Sequence, residues 1–168
     1  MTGPLVVWVL GSDSDLPHIQ DGLAALREFE IPTEVRILSA HRSPDAVDEL
    51  SRNARARGVK VLIGVAGGAA HLPGVLAART TLPVIGVPIP TDLAGGLDSL
   101  LSIVQMPAGV PVATVSAGKS GGRNAALLAA SILGTSDARI ATALDKSREA
   151  MTRKVLDKDR EKGTRLSG

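Results

Sequence analysis

The sequence contains no cysteine and no tyrosine, and its only aromatic residues are Trp8 and Phe29. The missing cysteines exclude disulfides, thiolate metal sites and cysteine nucleophiles. With so few aromatics the core must be built from Val, Ile, Leu and Ala, which suits helices packed closely on a parallel sheet. The same shortage removes the flat faces on which nucleic-acid bases or a flavin ring would stack. Histidine is scarce too: His18, His41 and His71 are the only three, none with a second histidine at ligand spacing. That pattern disfavours a tight transition-metal site. No apolar run approaches the ~18 to 20 residues that cross a bilayer. Residues 5–10 are apolar, but the run is too short for a signal peptide and has no basic flank. The expectation is a cytoplasmic protein with no membrane partner.

Charge of one sign is also missing from the body of the chain. Residues 1–135 carry 10 Lys/Arg against 11 Asp/Glu, and residues 136–168 carry 9 against 6. The basic excess therefore sits in the C-terminal stretch, not in a stripe that could follow nucleic acid. At 168 residues the chain has the length of a single domain.

What is present is a regular alternation. Short β-branched runs at residues 5–10, 33–38, 59–65, 84–87 and 112–115 predict five strands. Helical patterns follow each, over about residues 15–29, from Pro44, 70–79, 97–104 and 124–133. Five β-α units in succession predict an α/β fold: a three-layer, doubly wound parallel sheet of flavodoxin-like order, with right-handed crossovers. Residues 1–160 are read as one domain, with a core at 3–135 and an extra C-terminal helix at about 137–160. Ile140, Leu144, Met151 and Val155 form an apolar stripe on that helix, with Ser147 in the gap. The stripe packs on its own domain or on a neighbouring subunit. Residues 161–168 are expected to be a disordered tail.

Open α/β sheets bind ligands outside the carboxyl ends of their strands, and each loop expected there is unusual. The first is Gly11-Ser-Asp-Ser-Asp15, where one residue suffices to cap a helix but four are polar. The second is Ser39-Ala-His-Arg-Ser-Pro44. His41 there has the side chain suited to proton transfer near neutrality, and Arg42 the one suited to phosphate. The third, Ala66-Gly-Gly-Ala-Ala-His-Leu-Pro-Gly74, offers glycines for a close approach and His71 in the first turn of a helix. The fourth is Pro88-Ile-Pro-Thr-Asp-Leu-Ala-Gly-Gly96, and the fifth Ala117-Gly-Lys-Ser-Gly-Gly122. A phosphate-loop reading of the fifth fails, because the required glycine is Ala113. There Lys119 is read as solvated or as neutralising an anion. From these residues alone the ligand is a small phosphorylated metabolite.

The first three loops, together with Asp98-Ser-Leu-Leu-Ser-Ile-Val-Gln-Met-Pro107, resemble the PurE family of purine biosynthesis over about residues 5–135. They look like its bacterial class I, the N5-carboxyaminoimidazole ribonucleotide mutases (the phosphoribosylaminoimidazole carboxylase catalytic subunit). The resemblance implies an isomerase that moves a carboxylate from the exocyclic nitrogen to ring carbon 4 without ATP, metal or organic cofactor. It implies His41 as the proton shuttle, Ser39 and Arg42 on the 5′-phosphate, and Asp15 on the ribose hydroxyls. Ser12, Gly67, Gly68, Ala70, His71 and Leu72 would cradle the base and the migrating carboxylate. The partners implied are the ribonucleotide, carbon dioxide, seven further copies in a homo-octamer, and coupling to the ATP-dependent synthetase that makes the carbamate. Pro90-Thr91-Asp92 departs from the family pattern. Two other readings stand beside this one: the class II activity, which carboxylates aminoimidazole ribonucleotide directly, and a non-catalytic phosphosugar-binding module on the same scaffold.

Overall fold

Strands β1 (Val6–Leu10), β2 (Thr33–Ile37), β3 (Val61–Ala66), β4 (Val84–Pro88) and β5 (Ala113–Thr114) form one parallel sheet in the order β2-β1-β3-β4-β5. The computed structural model describes residues 3–163. Strands β1, β3 and β4 are buried along their whole length, as continuous apolar runs in a sheet covered on both faces must be. Alternate side chains part company at the sheet. Val6, Trp8 and Leu10 join a core with helices α1 (Gln20–Glu28), α5 (Gly118–Gly134) and α6 (Ala138–Lys162). Val7 and Val9 join another with α2 (Pro44–Asn53), α3 (Leu72–Ala77) and α4 (Leu97–Val104). The doubly wound α/β architecture and the flavodoxin-like order are those expected from the alternation.

Several boundaries differ from the expected ones. The expected helix from residue 15 to 29 is two pieces: a 3-10 helix, Asp13–His18, and then α1. Ser12 caps the first piece, accepting from Ser14 N–H while the Asp15 carboxylate accepts from Ser12 N–H. Pro17 has no N–H to continue an α-helical ladder from this start. At the other end of the fold, α5 begins at Gly118, six residues before the expected start, so the fifth loop is largely helix. Its glycines serve packing. A Cβ on Gly122 would lie 2.1 Å from His18 O, and one on Gly22 would lie 2.5 Å from Gly122 O. Only residues without side chains let α5 approach α1 and the 3-10 helix this closely. Finally, α6 runs to Lys162, two residues into the expected tail; residues 164–168 lie outside the described part.

Helix α6 starts on an Asp137 cap that accepts from Arg139 and Ile140 N–H. Ile140 is buried and Leu144 packs on the core, but Met151 and Val155 are 43% and 66% exposed. The apolar stripe thus outruns the surface its own protomer offers. No helix among the described residues is long and apolar enough to cross a membrane.

Candidate active site

The crevice at the carboxyl end of the sheet arises where two hydrogen-bond ladders stop short. Parallel strands bond in steps of two residues. Between β3 and β4, Leu62 N–H donates to Pro83 O and, at the far end, Ile89 N–H donates to Ala66 O. The next rung would join Gly68 N–H to Ile89 O. A hydroxyl stands in its place: Gly68 N–H donates to Ser99 Oγ at 2.9 Å, and Ser99 Oγ donates to Ile89 O at 2.7 Å. Between β1 and β3, Val61 N–H donates to Leu5 O and Gly11 N–H to Val65 O. The rung after these would join Gly67 N–H to Gly11 O, but Gly11 O accepts instead from the Arg42 guanidinium at 3.1 Å. The ladders part on either side of β3, and a cleft of about 500 Å³ opens between the loops.

Four of the five loops line it. Gly11, Ser12, Ser14 and Asp15 come from the first, Ser39, Ala40, His41 and Arg42 from the second, Ala66, Gly67, Ala69 and Leu72 from the third, and Ile89 from the fourth. Asp15 is only 6% exposed, and burial pushes its carboxyl above the usual 3.8. Ser39 organises the second loop: its hydroxyl accepts from the N–H groups of His41 (3.3 Å) and Arg42 (3.1 Å). Its own N–H donates to Ser43 Oγ at 2.9 Å. The loop is thereby held as a turn before Pro44, whose ring suits the first position of α2.

His41 Nε2 lies 2.9 Å from His71 Nδ1, with the rings edge to face at 82°. One proton is shared along that contact, and which ring carries it depends on the tautomers. The sequence offered both histidines but no sign that they meet, since they stand 30 residues apart on different loops. His71 stands at the N-cap position of α3, just before its first turn, and its side chain makes no cap hydrogen bond.

The glycine turn sorts its amides into two sets. Gly68 N–H goes to Ser99 Oγ, Ala70 N–H to Gly68 O and His71 N–H to Ala69 O. Gly67, Ala69 and Leu72 are the residues that face the cleft, and among the described residues their N–H groups have no hydrogen-bond partner. Gly68 holds the turn with φ +66°, while Ala70 is fully buried. Of the expected cradle, then, Ser12, Gly67 and Leu72 line the cleft; Gly68 and Ala70 stand behind it, and His71 is held against His41.

Other residues fall differently from expectation. Lys119 lies in the first turn of α5 and does not line the cleft. In the departing segment, Thr91 Oγ1 donates to Asp98 Oδ1 at 2.6 Å, which holds that carboxyl below its usual range, and neither residue lines the cleft. Sequence reasoning missed Ser14, Ala69, Ile89 and Ser99. Ser99 and Asp98 lie within the segment 98–107 that carries part of the resemblance, but nothing in a string of residues shows that a helical serine reaches the carbonyl just past β4.

The model of the family described as AIR carboxylase matches residues 5–154. The N5-carboxyaminoimidazole ribonucleotide mutase of Mycobacterium tuberculosis (strain H37Rv) is 59% identical over 137 residues, covering 82% of this chain and 78% of the relative. That of Bacillus subtilis (strain 168) is 54% identical over 145 residues, covering 86% and 90%. A crystal structure of Treponema denticola PurE superposes with a TM-score of 0.86 at 31% identity, covering 96% of this chain and 99% of that one. Matched along most of its length in sequence and in fold, the chain belongs to the AIR carboxylase family.

Proposed function

We propose that the chain is a class I mutase of de novo purine biosynthesis, converting N5-carboxyaminoimidazole ribonucleotide to 4-carboxy-5-aminoimidazole ribonucleotide. The observation that carries this reading is the placing of His41 in one crevice with Ser39, Arg42 and Asp15 and with amides that have no hydrogen-bond partner among the described residues. Relatives named for this activity at 54–59% identity support it.

Arg42 and the Ser39 turn bind the 5′-phosphate, where a planar guanidinium and a hydroxyl match its oxygens. Asp15 accepts from the ribose hydroxyls. The bond between the exocyclic nitrogen and the carboxylate carbon breaks, releasing carbon dioxide into the crevice. The amides of Gly67, Ala69 and Leu72 hold it there with their N–H dipoles, and Ser12 borders the base. Carbon 4 then attacks the carbon dioxide, forming the new carbon–carbon bond. The proton on carbon 4 leaves to His41, and one proton is delivered to the exocyclic nitrogen. Since one proton is taken and one given, His41 ends each cycle as it began. The hydrogen bond to His71 spreads the positive charge of the transient imidazolium over two rings. The histidines, hydroxyls and amides account for every step with no cofactor. The protein acts in the cytoplasm as a homo-octamer, and the ATP-dependent synthetase that forms the carbamate supplies its substrate.

The test is a paired assay of wild type and His41→Asn, given N5-carboxyaminoimidazole ribonucleotide, or aminoimidazole ribonucleotide with bicarbonate, without ATP or metal. Wild type is expected to consume the carbamate, and the variant to lose about 10²- to 10⁴-fold in kcat. Preference for the uncarboxylated substrate would assign the class II activity. No turnover of either by folded wild type would leave only a phosphosugar-binding module.

A further inference from the structure

We propose that Ser99 is a positioning residue for this reaction: its hydroxyl replaces one rung of the sheet and so keeps the amides of the glycine turn facing the cleft. The inference rests on the mutase reading for its chemistry, but its geometry stands on the fold. Ser99 is fully buried on α4, and its oxygen makes two bonds at once, accepting from Gly68 N–H at 2.9 Å and donating to Ile89 O at 2.7 Å. It thereby satisfies a partly buried donor and a buried acceptor that the continuing ladder would pair with each other. One helical turn on, Ser102 Oγ lies 3.3 Å from Gly68 O, so α4 touches both sides of the Gly68 residue.

The alternative to the bridge is specific. Without the hydroxyl, the buried Ile89 O is left unsatisfied, which is costly, and the partly buried Gly68 N–H loses its partner. The relief nearest to hand is the direct rung between them, continuing the ladder by its ordinary step. Making that rung draws the turn toward β4 and turns the Gly67 and Ala69 amides, which hold carbon dioxide, away from the cleft. His71 follows, because its N–H is tied to Ala69 O. Ser39, Arg42 and Asp15 sit on other loops and are left in place.

Ser99→Ala should therefore separate binding from capture. With N5-carboxyaminoimidazole ribonucleotide as substrate, and after subtracting the loss without enzyme, the ratio of aminoimidazole ribonucleotide to carboxylated product should rise about five-fold or more. KM should stay within about two-fold, since the phosphate and ribose contacts are intact. Ser99→Thr, which keeps the hydroxyl, should restore the wild-type ratio. Ser51→Ala, also buried but bonded only within α2, controls for general loosening. An unchanged ratio in Ser99→Ala, or an equal rise in Ser51→Ala, would overturn the proposal. Should Ser99→Ala fail to fold, Ser99→Cys carries the same two outcomes, because a thiol is a poor bridge between amide and carbonyl. Amide hydrogen exchange over residues 67–72 reads the turn with no substrate present. If wild type makes no carboxylated product, the mutase reading fails alone; unaltered exchange in Ser99→Ala would sink the positioning role.

Discussion

Asp15 shows what a buried carboxylate costs the resting protein. Its carboxyl is buried, and burial raises its pKa above 3.8 despite the Ser12 amide that favours the charged form. Because the folded value lies above the unfolded one, the folded state keeps its proton longer as pH rises. The cost is absent below about pH 4, grows as pH rises through the folded pKa, and is complete above it. Asp15→Asn retains an acceptor for Ser12 N–H and removes the buried charge. Its melting midpoint at neutral pH is expected to exceed wild type by about 2–4 °C, with the gap closing on titration toward pH 3. Ribose 5-phosphate should raise the wild-type midpoint more than the variant's. A variant less stable than wild type at neutral pH would show that the carboxylate is held by contacts rather than tolerated for function. That Ser39, His41 and Arg42 would stand together at the carboxyl end of the sheet was legible in the sequence, because position after a strand is a local fact. The His41–His71 contact and the Ser99 bridge were not, since each joins residues about 30 apart in the chain.

Among the helices, α5 is the one whose beginning lies furthest from the start expected from the sequence. Gly118, Gly121 and Gly122 have poor helix propensity, so a reading from propensity makes the segment a loop. Tertiary packing overrides it, because the space beside α1 and the 3-10 helix admits no side chain at Gly122. Gly122→Ala improves local propensity and is nonetheless expected to destabilise by about 2 kcal/mol or more, since the methyl meets a backbone carbonyl that cannot swing away. Urea unfolding measures it directly; a neutral or stabilising result would mean that α5 shifts freely on α1. The strands and α4, by contrast, were readable because their apolar runs and periodicity carry the signal without help from distant residues.

At the scale of the whole molecule, two apolar surfaces lack cover in a single protomer. Leu97, Leu101 and Val104 on α4 are each nearly half exposed, and Met151, Val155 and Leu156 lie open along the far half of α6. The homo-octamer proposed above would give both surfaces a partner, and with it a use for an amphipathic stripe that continues past Ser147. Val155→Glu, at a position 66% exposed, should leave protomer secondary structure intact by circular dichroism. Light scattering is expected to show a smaller assembly at micromolar concentration. An unaltered mass would place the subunit contacts elsewhere.

The two rungs that β3 does not make have a bearing on how such a site can change over generations. Below Gly11 and Ala66 the strands are zipped and their side chains interlocked, so substitutions there are felt throughout the core. Above those residues the backbone is held by single replaceable bridges, one guanidinium and one hydroxyl. Selection can therefore retune the chemistry at this rim by changing one bridge at a time, while the barrier to losing the fold stays with residues that never meet the substrate.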